Sequence, residues 1–100
     1  MKIIYTTLNN IAEARTIGKF LLEKKLANCV NFFPITCIYN YNNEITEEPE
    51  IVLIIKTVEG KYKNIETVIK QHISYDNFIG ELNVDQINSN FESWLCNIVK

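Results

Sequence analysis

The sequence predicts an α+β sandwich of the ferredoxin-like type, with the element order β-α-β-β-α-β and one further helix at the C-terminus. Two amphipathic helical segments alternate with strand-like segments. The two central strand-like segments are long, and Asn42-Asn43 between them suits the positive φ angles of a tight hairpin turn. No linker, repeat or low-complexity stretch divides the chain, so residues 1–100 are expected to form a single domain.

The first two elements have clear signals at their ends. Residues 2–7 are mostly β-branched or aromatic and predict a strand. The segment from Asn10 to Glu13 has the form of a capping box, and apolar residues then recur every three or four positions. A helix is therefore predicted over residues 11–25, with two lysines at its end, where the helix dipole favours cations.

The remaining elements follow from alternation, periodicity and capping signals. The terminal helix is predicted from Ser89-x-x-Glu92, a second capping box. Its apolar residues are expected to face inward, and these are Phe91, Trp94, Leu95 and Ile98. The other predicted elements are strands over 29–42 and 44–57, a helix over 60–73 and a strand over Phe78–Val84.

The central hairpin is too long for the domain that carries it. Fourteen residues per strand span roughly 46 Å, whereas a compact domain of this length is only about 34 Å across. With a turn at Asn42-Asn43, the residue numbers of cross-strand partners sum to about 85. Pro34 and Pro49 then lie at nearly the same distance from the turn. We expect a bend at this level, because proline belongs at bulges or edges, and a distal arm over residues 35–50.

The segment Ile51–Ile55 is apolar on both of its faces. Strands of this kind are covered on both sides, but the two helices of this fold cover only one face of the sheet. Self-association through the open face and the arm is therefore predicted, with closed cyclic symmetry. The alternatives are that the third helix covers the open face, or that the apolar side chains are exposed.

Composition excludes several classes of protein. Ten Lys and Arg against twelve Asp and Glu give a net charge of −2, which does not suit a protein that binds nucleic acid. The longest apolar run is far shorter than the roughly 20 residues that span a membrane. The N-terminus lacks the pattern of a signal peptide, and three cysteines without a C-x-x-C motif indicate reduced thiols. We therefore expect a cytoplasmic protein.

Six segments resemble the CutA family of divalent-cation tolerance proteins in order and spacing. The segments are Thr6-Thr7, Leu26–Asn31, Tyr39-x-Tyr41-x-Asn43, Glu48–Thr57, His72-x-Ser74-Tyr75 and Ser93-Trp94-Leu95. The resemblance implies a ferredoxin-like homotrimer with an assembly similar to that of PII signalling proteins. It also implies a non-enzymatic role in tolerance of, or response to, copper and other divalent cations.

The metal ligands implied by the resemblance are only partly present. Copper-binding members of the family carry a cysteine just before the strand-one threonine and two adjacent histidines at the end of helix two. This chain has Tyr5, His72 and Ile73 at those positions. His72 is therefore the candidate ligand for weak binding of copper or another divalent cation, and it needs donors from a neighbouring chain. The alternative is an ordinary hydrogen bond at a helix end.

A second candidate function is a PII-like module that binds a small anion in a cleft between subunits. Tyr39, Tyr41 and Tyr75 are candidates to line this cleft, while Lys56 and Thr57 offer a cation and a hydroxyl group. The alternative is that these aromatic residues pack in an interface. The residues assigned to the cleft or interface are Cys29, Asn31, Tyr39, Tyr41, Glu48, Lys56, Thr57, Tyr75 and Trp94.

Two features of the sequence bear on an enzymatic role. A nucleophilic role for Cys29 needs a nearby base or helix N-terminus, and none is apparent, so a packing role at the base of the hairpin with Asn28 and Asn31 is expected. Glu48 belongs to an acidic run with Glu47 and Glu50, and strand alternation sends Glu47 to the opposite face. A solvated face is the expected role of this run, rather than acid–base catalysis or binding of a hard cation.

Overall fold

A computed structural model describes residues 1–100 and has the predicted order of elements. The four strands form one antiparallel sheet in the order β2-β3-β1-β4, which confirms the ferredoxin-like α+β architecture. The elements are β1 (Lys2–Leu8), α1 (Ile11–Glu23), β2 (Cys29–Tyr41), β3 (Glu44–Thr57), α2 (Tyr62–His72), β4 (Ile79–Asn83) and α3 (Ser89–Ile98).

The first helix ends two residues earlier than predicted. Lys25 adopts a left-handed conformation with φ 58°, and its N–H donates to the Leu22 carbonyl at 3.0 Å. The N–H of Leu26 donates to the Leu21 carbonyl, also at 3.0 Å. This pair of bonds is a Schellman motif, which satisfies the last carbonyls of a helix and reverses the chain. The two lysines therefore lie in the cap and not in the last turn.

The two predicted capping boxes have different outcomes. At α1 the Asn10 side chain accepts a hydrogen bond from the N–H of Glu13 at 2.9 Å, as predicted. The Glu13 carboxylate accepts from the N–H of Asn9 at 3.1 Å, one residue before the cap. At α3 the prediction is wrong, because Asn88 is the N-cap and Ser89 is the first helical residue. The Asn88 side chain makes no capping hydrogen bond.

The main core lies between α1, α2 and one face of the sheet, and it contains the buried aliphatic residues of β1 and β3. Gly18 of α1 faces β2, where a Cβ atom would lie 2.8 Å from Cγ2 of Val30. The glycine therefore sets the distance between this helix and the sheet. The buried residues of this core are Ile4, Leu8, Ala14, Ile17, Leu21, Ala27, Ile51, Leu53, Ile55, Ile65, Val68 and Ile69.

The hairpin projects from the domain, and the longest dimension of the chain is 46 Å. Pro34 pairs with Ile51 and Pro49 with Thr36, as predicted. Pairing continues without a bulge to the turn, so no bulge accompanies the prolines. Because β2 is an edge strand and β1 ends opposite Ile51, both prolines stand where the sheet has a free edge. A missing N–H is tolerated in that position.

The third helix covers one end of the open face of the sheet. The Phe91 ring of α3 lies 5.3 Å from the Lys56 ammonium group, which stands on this face. Leu95 is buried, but Trp94 and Ile98 are exposed, so the prediction that both face inward is wrong for the isolated chain. The residues that face inward are Phe91, Leu95 and Val99, which are spaced by four positions. Trp94 and Ile98 therefore lie beside this row and not in it.

The rest of the open face carries exposed apolar side chains. Phe78 packs edge-to-face on Tyr5, with a centroid distance of 6.1 Å. Its ring lies over Gly80, where a Cβ atom would be 2.5 Å from the ring. Phe33 and Leu82 are exposed on the same face. None of the three helices is both long and apolar enough to cross a membrane.

Substitution of Gly18 by alanine is expected to destabilise the protein. The added methyl group overlaps with Val30, and overpacking costs about 1–3 kcal/mol, which exceeds the gain of about 1 kcal/mol in helix propensity. Thermal unfolding should show a lower Tm for Gly18→Ala. In a Val30→Ala background, which removes the overlap, the same substitution should raise Tm; a lower Tm in both backgrounds would contradict this account.

Candidate functional site

The residues predicted to form one cleft lie at two ends of the hairpin. Tyr39, Tyr41, Glu48 and Tyr75 line a common cleft of about 500 Å³ beside the arm. Cys29, Lys56 and Thr57 lie at the base of the hairpin, where β2 begins and β3 ends. A single chain therefore does not bring the tyrosines together with Lys56 and Thr57. Asn31 and Trp94 are both exposed and line no cavity.

The cleft is formed between the arm and the loop that connects α2 to β4. Its arm wall has residues of β2 and β3 that point to one face, with Cys37 opposite Glu48 and Tyr39 opposite Thr46. Its other wall is the loop segment 75–78, and Thr7 and Asn9 lie at its end. The lining residues that the sequence did not indicate are Thr7, Asn9, Cys37, Glu50, Asp76, Asn77 and Phe78.

Hydrogen bonds to β1 fix the loop wall. The Asn77 side-chain amide donates to the Thr6 hydroxyl at 2.9 Å and to the Thr7 carbonyl at 2.8 Å. The Thr6 hydroxyl, which is fully buried, donates in turn to the Phe78 carbonyl at 2.8 Å. This network holds the backbone of residues 77 and 78 against β1. Asp76 and Phe78 are therefore positioned at the cleft by their neighbours.

Tyr75 ties the same loop to the start of α1. Its hydroxyl donates to the Glu13 carboxylate at 2.6 Å and accepts from the N–H of Asn9 at 2.9 Å. Burial raises the pKa of Tyr75 well above its ordinary value, and the hydrogen bond to Glu13 raises it further. The hydroxyl therefore stays protonated and acts as a structural donor.

The arm wall contains a second phenol–carboxylate pair. The Tyr39 hydroxyl donates to the Glu48 carboxylate at 2.8 Å, and this hydrogen bond is the main reason that the pKa of Tyr39 is raised. Burial raises the pKa of the Cys37 thiol, and the nearby Glu50 carboxylate raises it further. A thiol in these surroundings remains protonated, which is unfavourable for a nucleophile.

The charge of the cleft is the opposite of what an anionic ligand requires. Glu48, Glu50 and Asp76 line the cleft, and no Lys, Arg or His does. The two salt bridges of the chain, Lys2–Glu59 and Lys63–Glu66, do not involve these carboxylates. The cleft therefore attracts cations.

Lys56 and Thr57 point to opposite faces of β3, so they do not act together within a chain. The Thr57 hydroxyl is fully buried and donates to the Leu26 carbonyl at 2.6 Å, which gives it a structural role at the base of the hairpin. Lys56 lies at a separate pocket of about 300 Å³ with Phe91 of α3. Within one chain the two groups do not meet, and a shared anion site between subunits stays a prediction.

Cys29 occupies the first position of β2, opposite Lys56, and is half-buried. No side-chain hydrogen bond involves the thiol. The neighbouring Asn28 has a buried side-chain N–H₂ group without a partner. The packing role of Cys29 and Asn28 remains a prediction.

His72 lies at the end of α2, at the edge of a shallow pocket of about 210 Å³. Its Nδ1 lies 2.7 Å from the Val68 carbonyl oxygen, so Nδ1 carries the proton and donates. Its ring packs edge-to-face on Phe20, with a centroid distance of 5.1 Å. Glu13 lines the same pocket. No group of three or more His, Cys, Asp or Glu residues in the chain could hold a metal ion.

Comparison with known proteins agrees with this architecture over the whole chain. The family described as "CutA1 divalent ion tolerance protein" matches residues 2–97. The chain belongs to the CutA family. Among its relatives, the divalent-cation tolerance protein CutA of Thermotoga maritima is 35% identical over 96 residues, which cover 95% of each chain. The corresponding protein of Thermococcus kodakarensis is 31% identical over 98 residues, which cover 97% of this chain and 94% of the relative.

Solved CutA structures show the same fold. A structure described as a periplasmic divalent cation tolerance protein CutA from Archaeoglobus fulgidus superposes with a TM-score of 0.95 at 33% identity, with 100% of each chain covered. CutA1 from Pyrococcus horikoshii gives a TM-score of 0.92 at 29% identity, with 100% of this chain and 99% of the other covered. The long projecting hairpin is therefore part of a fold that these CutA proteins share.

Substitution of Tyr75 by phenylalanine is expected to reduce the stability and its dependence on alkaline pH. At pH 7 the loss of the two hydrogen bonds should cost about 1 kcal/mol. Because the folded-state pKa lies above the ordinary value of 10.0, the stabilisation is complete below pH 10 and is lost as the pH rises above it. The free energy of unfolding measured with urea should therefore fall more steeply above pH 10 for wild type than for Tyr75→Phe.

Both proteins are to be compared at one protomer concentration, because self-association alters apparent stability. Tyr62→Phe serves as a positive control, since the pKa of Tyr62 is also raised, mainly by burial, and removal of its hydroxyl should likewise flatten the alkaline slope. Equal alkaline slopes for wild type and Tyr75→Phe would contradict the assigned role of this hydroxyl.

Proposed function

We propose that this chain is a non-enzymatic CutA protein that acts as a homotrimer in the cytoplasm and contributes to tolerance of copper or other divalent cations through weak binding at His72. Membership of the CutA family supports the general role. The hydrogen-bonding state of His72 is the observation that carries the finer proposal.

When the imidazole is neutral, the hydrogen bond from Nδ1 to the Val68 carbonyl leaves Nε2 as the nitrogen with a lone pair for a metal. Histidines that bind metals commonly donate their other ring N–H to a carbonyl or carboxylate, which fixes the tautomer and orients the ring. Imidazole nitrogen is a preferred ligand of copper(II). Glu13 in the same pocket adds a carboxylate, although this carboxylate already accepts from Tyr75 and Asn9.

Two donors in one chain make a weak site. Closed sites for copper or zinc use three or four protein ligands, and the chain has no cluster of three. Weak binding is therefore expected from one chain, and tighter binding requires donors from a neighbouring subunit.

Self-association is supported by the apolar surface of the arm and of the open face. The side chains of Ile38 and Ile45 are 64% and 80% exposed on one face of the arm. Phe33, Phe78 and Leu82 are exposed on the open face of the sheet. Both strands of the arm also have free edges beyond Ile51. Apolar patches next to free strand edges are typical of interaction surfaces.

The absence of a catalytic role is supported by the state of the groups at the cleft. The Cys37 thiol has a raised pKa, and the Tyr39 and Tyr75 hydroxyls donate to carboxylates. None of these groups is an activated nucleophile or an acid with a pKa near neutrality.

Copper binding is tested by calorimetric titration of the purified protein with copper(II) at neutral pH, with zinc(II) and nickel(II) in parallel. Wild type should bind copper(II), and His72→Ala should weaken the affinity by about tenfold or more, because it removes the imidazole ligand. Gln71→Ala, an exposed neighbour on α2, should bind as wild type does. A flat wild-type titration, or equal affinity in His72→Ala, would remove direct binding at His72.

The oligomeric state is tested by light scattering at protomer concentrations from low to high micromolar. Wild type should have three times the chain mass of 11.6 kDa. Ile38→Glu places a charge on the exposed apolar face of the arm and should reduce the mass, while circular dichroism of the variant stays unchanged. Gln71→Glu adds the same charge on α2 and should leave the mass at three chains. A wild-type mass of one chain would overturn the trimer.

A further inference from the structure

The carboxylate of Glu13 belongs to two neighbouring parts of the structure. Glu13 lies in the first turn of α1 and lines the pocket that contains His72. Its carboxylate also accepts hydrogen bonds from the Tyr75 hydroxyl, in the loop after α2, and from the N–H of Asn9, just before α1. One charged side chain therefore connects the histidine pocket with the loop.

Both of these hydrogen bonds use the same oxygen atom. The Tyr75 hydroxyl donates to Oε1 of Glu13 at 2.6 Å. The N–H of Asn9 is shared between this Oε1, at 3.1 Å, and the Tyr75 hydroxyl oxygen, at 2.9 Å. The other oxygen, Oε2, accepts no hydrogen bond within the chain, and neither salt bridge involves Glu13. Oε2 therefore keeps its lone pairs for a cation while Oε1 keeps its donors.

The hydrogen bonds to Oε1 hold the carboxylate in place before any cation arrives. A free glutamate side chain loses considerable rotamer freedom when it is fixed, and here the Tyr75 hydroxyl and the Asn9 N–H have already fixed it. Carboxylates that bind metals are commonly hydrogen-bonded in this way, and loss of such a partner typically lowers the metal affinity by about 10- to 100-fold. Tyr75 therefore has the place of a residue that orients a metal ligand.

The imidazole of His72 is held in a comparable way. Its Nδ1 lies 2.7 Å from the Val68 carbonyl oxygen, and its ring packs edge-to-face on Phe20. When the ring is neutral, Nε2 carries the lone pair. The pocket thus contains two side chains that are each fixed through one atom. Each retains one donor atom for a metal, namely Nε2 of His72 and Oε2 of Glu13.

We propose that Glu13 is the second protein ligand of the divalent cation at His72, and that Tyr75 is the residue that positions it. This inference rests on the proposed function, because it completes the description of the same site. An imidazole nitrogen with a carboxylate oxygen suits copper(II), zinc(II) and nickel(II). Both ligands come from one chain, and the remaining coordination positions are left to water or to a neighbouring subunit.

The test uses NMR signals of the imidazole of His72. His72 is the only histidine of the chain, so these signals report on this site alone. Zinc(II) is the probe, because it has no redox chemistry and therefore does not oxidise the three free cysteines. During titration of the purified full chain to millimolar zinc, the Nε2 signal should shift while Nδ1 keeps its proton. The dependence of the shift on zinc concentration gives the affinity.

Glu13→Gln tests the second ligand. The variant loses the charge and the free oxygen but retains an oxygen that can accept from Tyr75. Its zinc affinity at His72 should fall by about tenfold or more. Glu23→Gln is the matched control, since it removes the same charge from the exposed last residue of α1, outside the pocket. It should change the affinity by less than about threefold, because salt screens a distant exposed charge. Equal losses in both variants would reduce the effect to general charge attraction and overturn the proposal.

Tyr75→Phe tests the positioning role. The variant should lower the zinc affinity by about tenfold. Tyr62→Phe removes a hydroxyl that donates to Glu66 on α2 and should bind zinc as wild type does. In a Glu13→Gln background, Tyr75→Phe should cause no further loss, because Tyr75 acts through Glu13. A further loss of similar size in that background, or equal losses in the two tyrosine variants, would give Tyr75 a general structural role and overturn the positioning role.

The results also separate this proposal from the proposed function. If the wild-type His72 signals do not shift with zinc, metal binding at His72 fails and the role of Glu13 fails with it. If they shift with equal affinity in wild type and Glu13→Gln, binding at His72 stands and Glu13 is not a ligand.

Discussion

The rest of this structure depends on one constraint: β2 and β3 stay paired far beyond the end of β1. β1 stops opposite Ile51, while β2 and β3 stay paired without interruption as far as Tyr41 and Glu44. From Ile51 to the base of the hairpin the strands belong to the four-stranded sheet and cover a buried core. Toward the turn from Ile51, the apolar side chains of Ile38, Tyr41 and Ile45 are exposed and the outer edges of both strands are free. Proline is tolerated at these edges for the same reason.

The cleft exists because a short loop is fastened opposite the projecting arm. The hydrogen bonds of Asn77 and Thr6 hold this loop on β1, and the hydroxyl of Tyr75 holds it on the start of α1. The arm then provides the facing wall. The carboxylates that meet there take part in neither salt bridge of the chain. His72 lies elsewhere, at the end of α2. Its ring is oriented by the Val68 carbonyl, and the carboxylate of Glu13 lines the same pocket.

The accuracy of the sequence predictions depended on whether local rules decide the feature. The register was predictable, because a two-residue turn at Asn42-Asn43 fixes every cross-strand pair after it. The N-terminal cap of α1 was predictable, because Asn10 and Glu13 satisfy nearby backbone groups. The end of α1 was not, because a lysine occupies a left-handed position usually held by glycine. The face of α3 was only partly predictable, since a ten-residue helix has several apolar stripes and packing selects one.

The sequence by itself determined the order of elements, the register and length of the hairpin, and the kinship with CutA proteins, because periodicity, turn residues and motif spacing are properties of the chain. Only the tertiary structure decided which candidate residues meet. It placed Tyr75 with Tyr39 and Glu48, separated them from Lys56 and Thr57, and added Asp76 and Phe78 to the cleft. The physical reason is that these contacts join segments far apart in sequence. The loop wall is held in place by side-chain hydrogen bonds to β1 and to the start of α1, which no local pattern specifies.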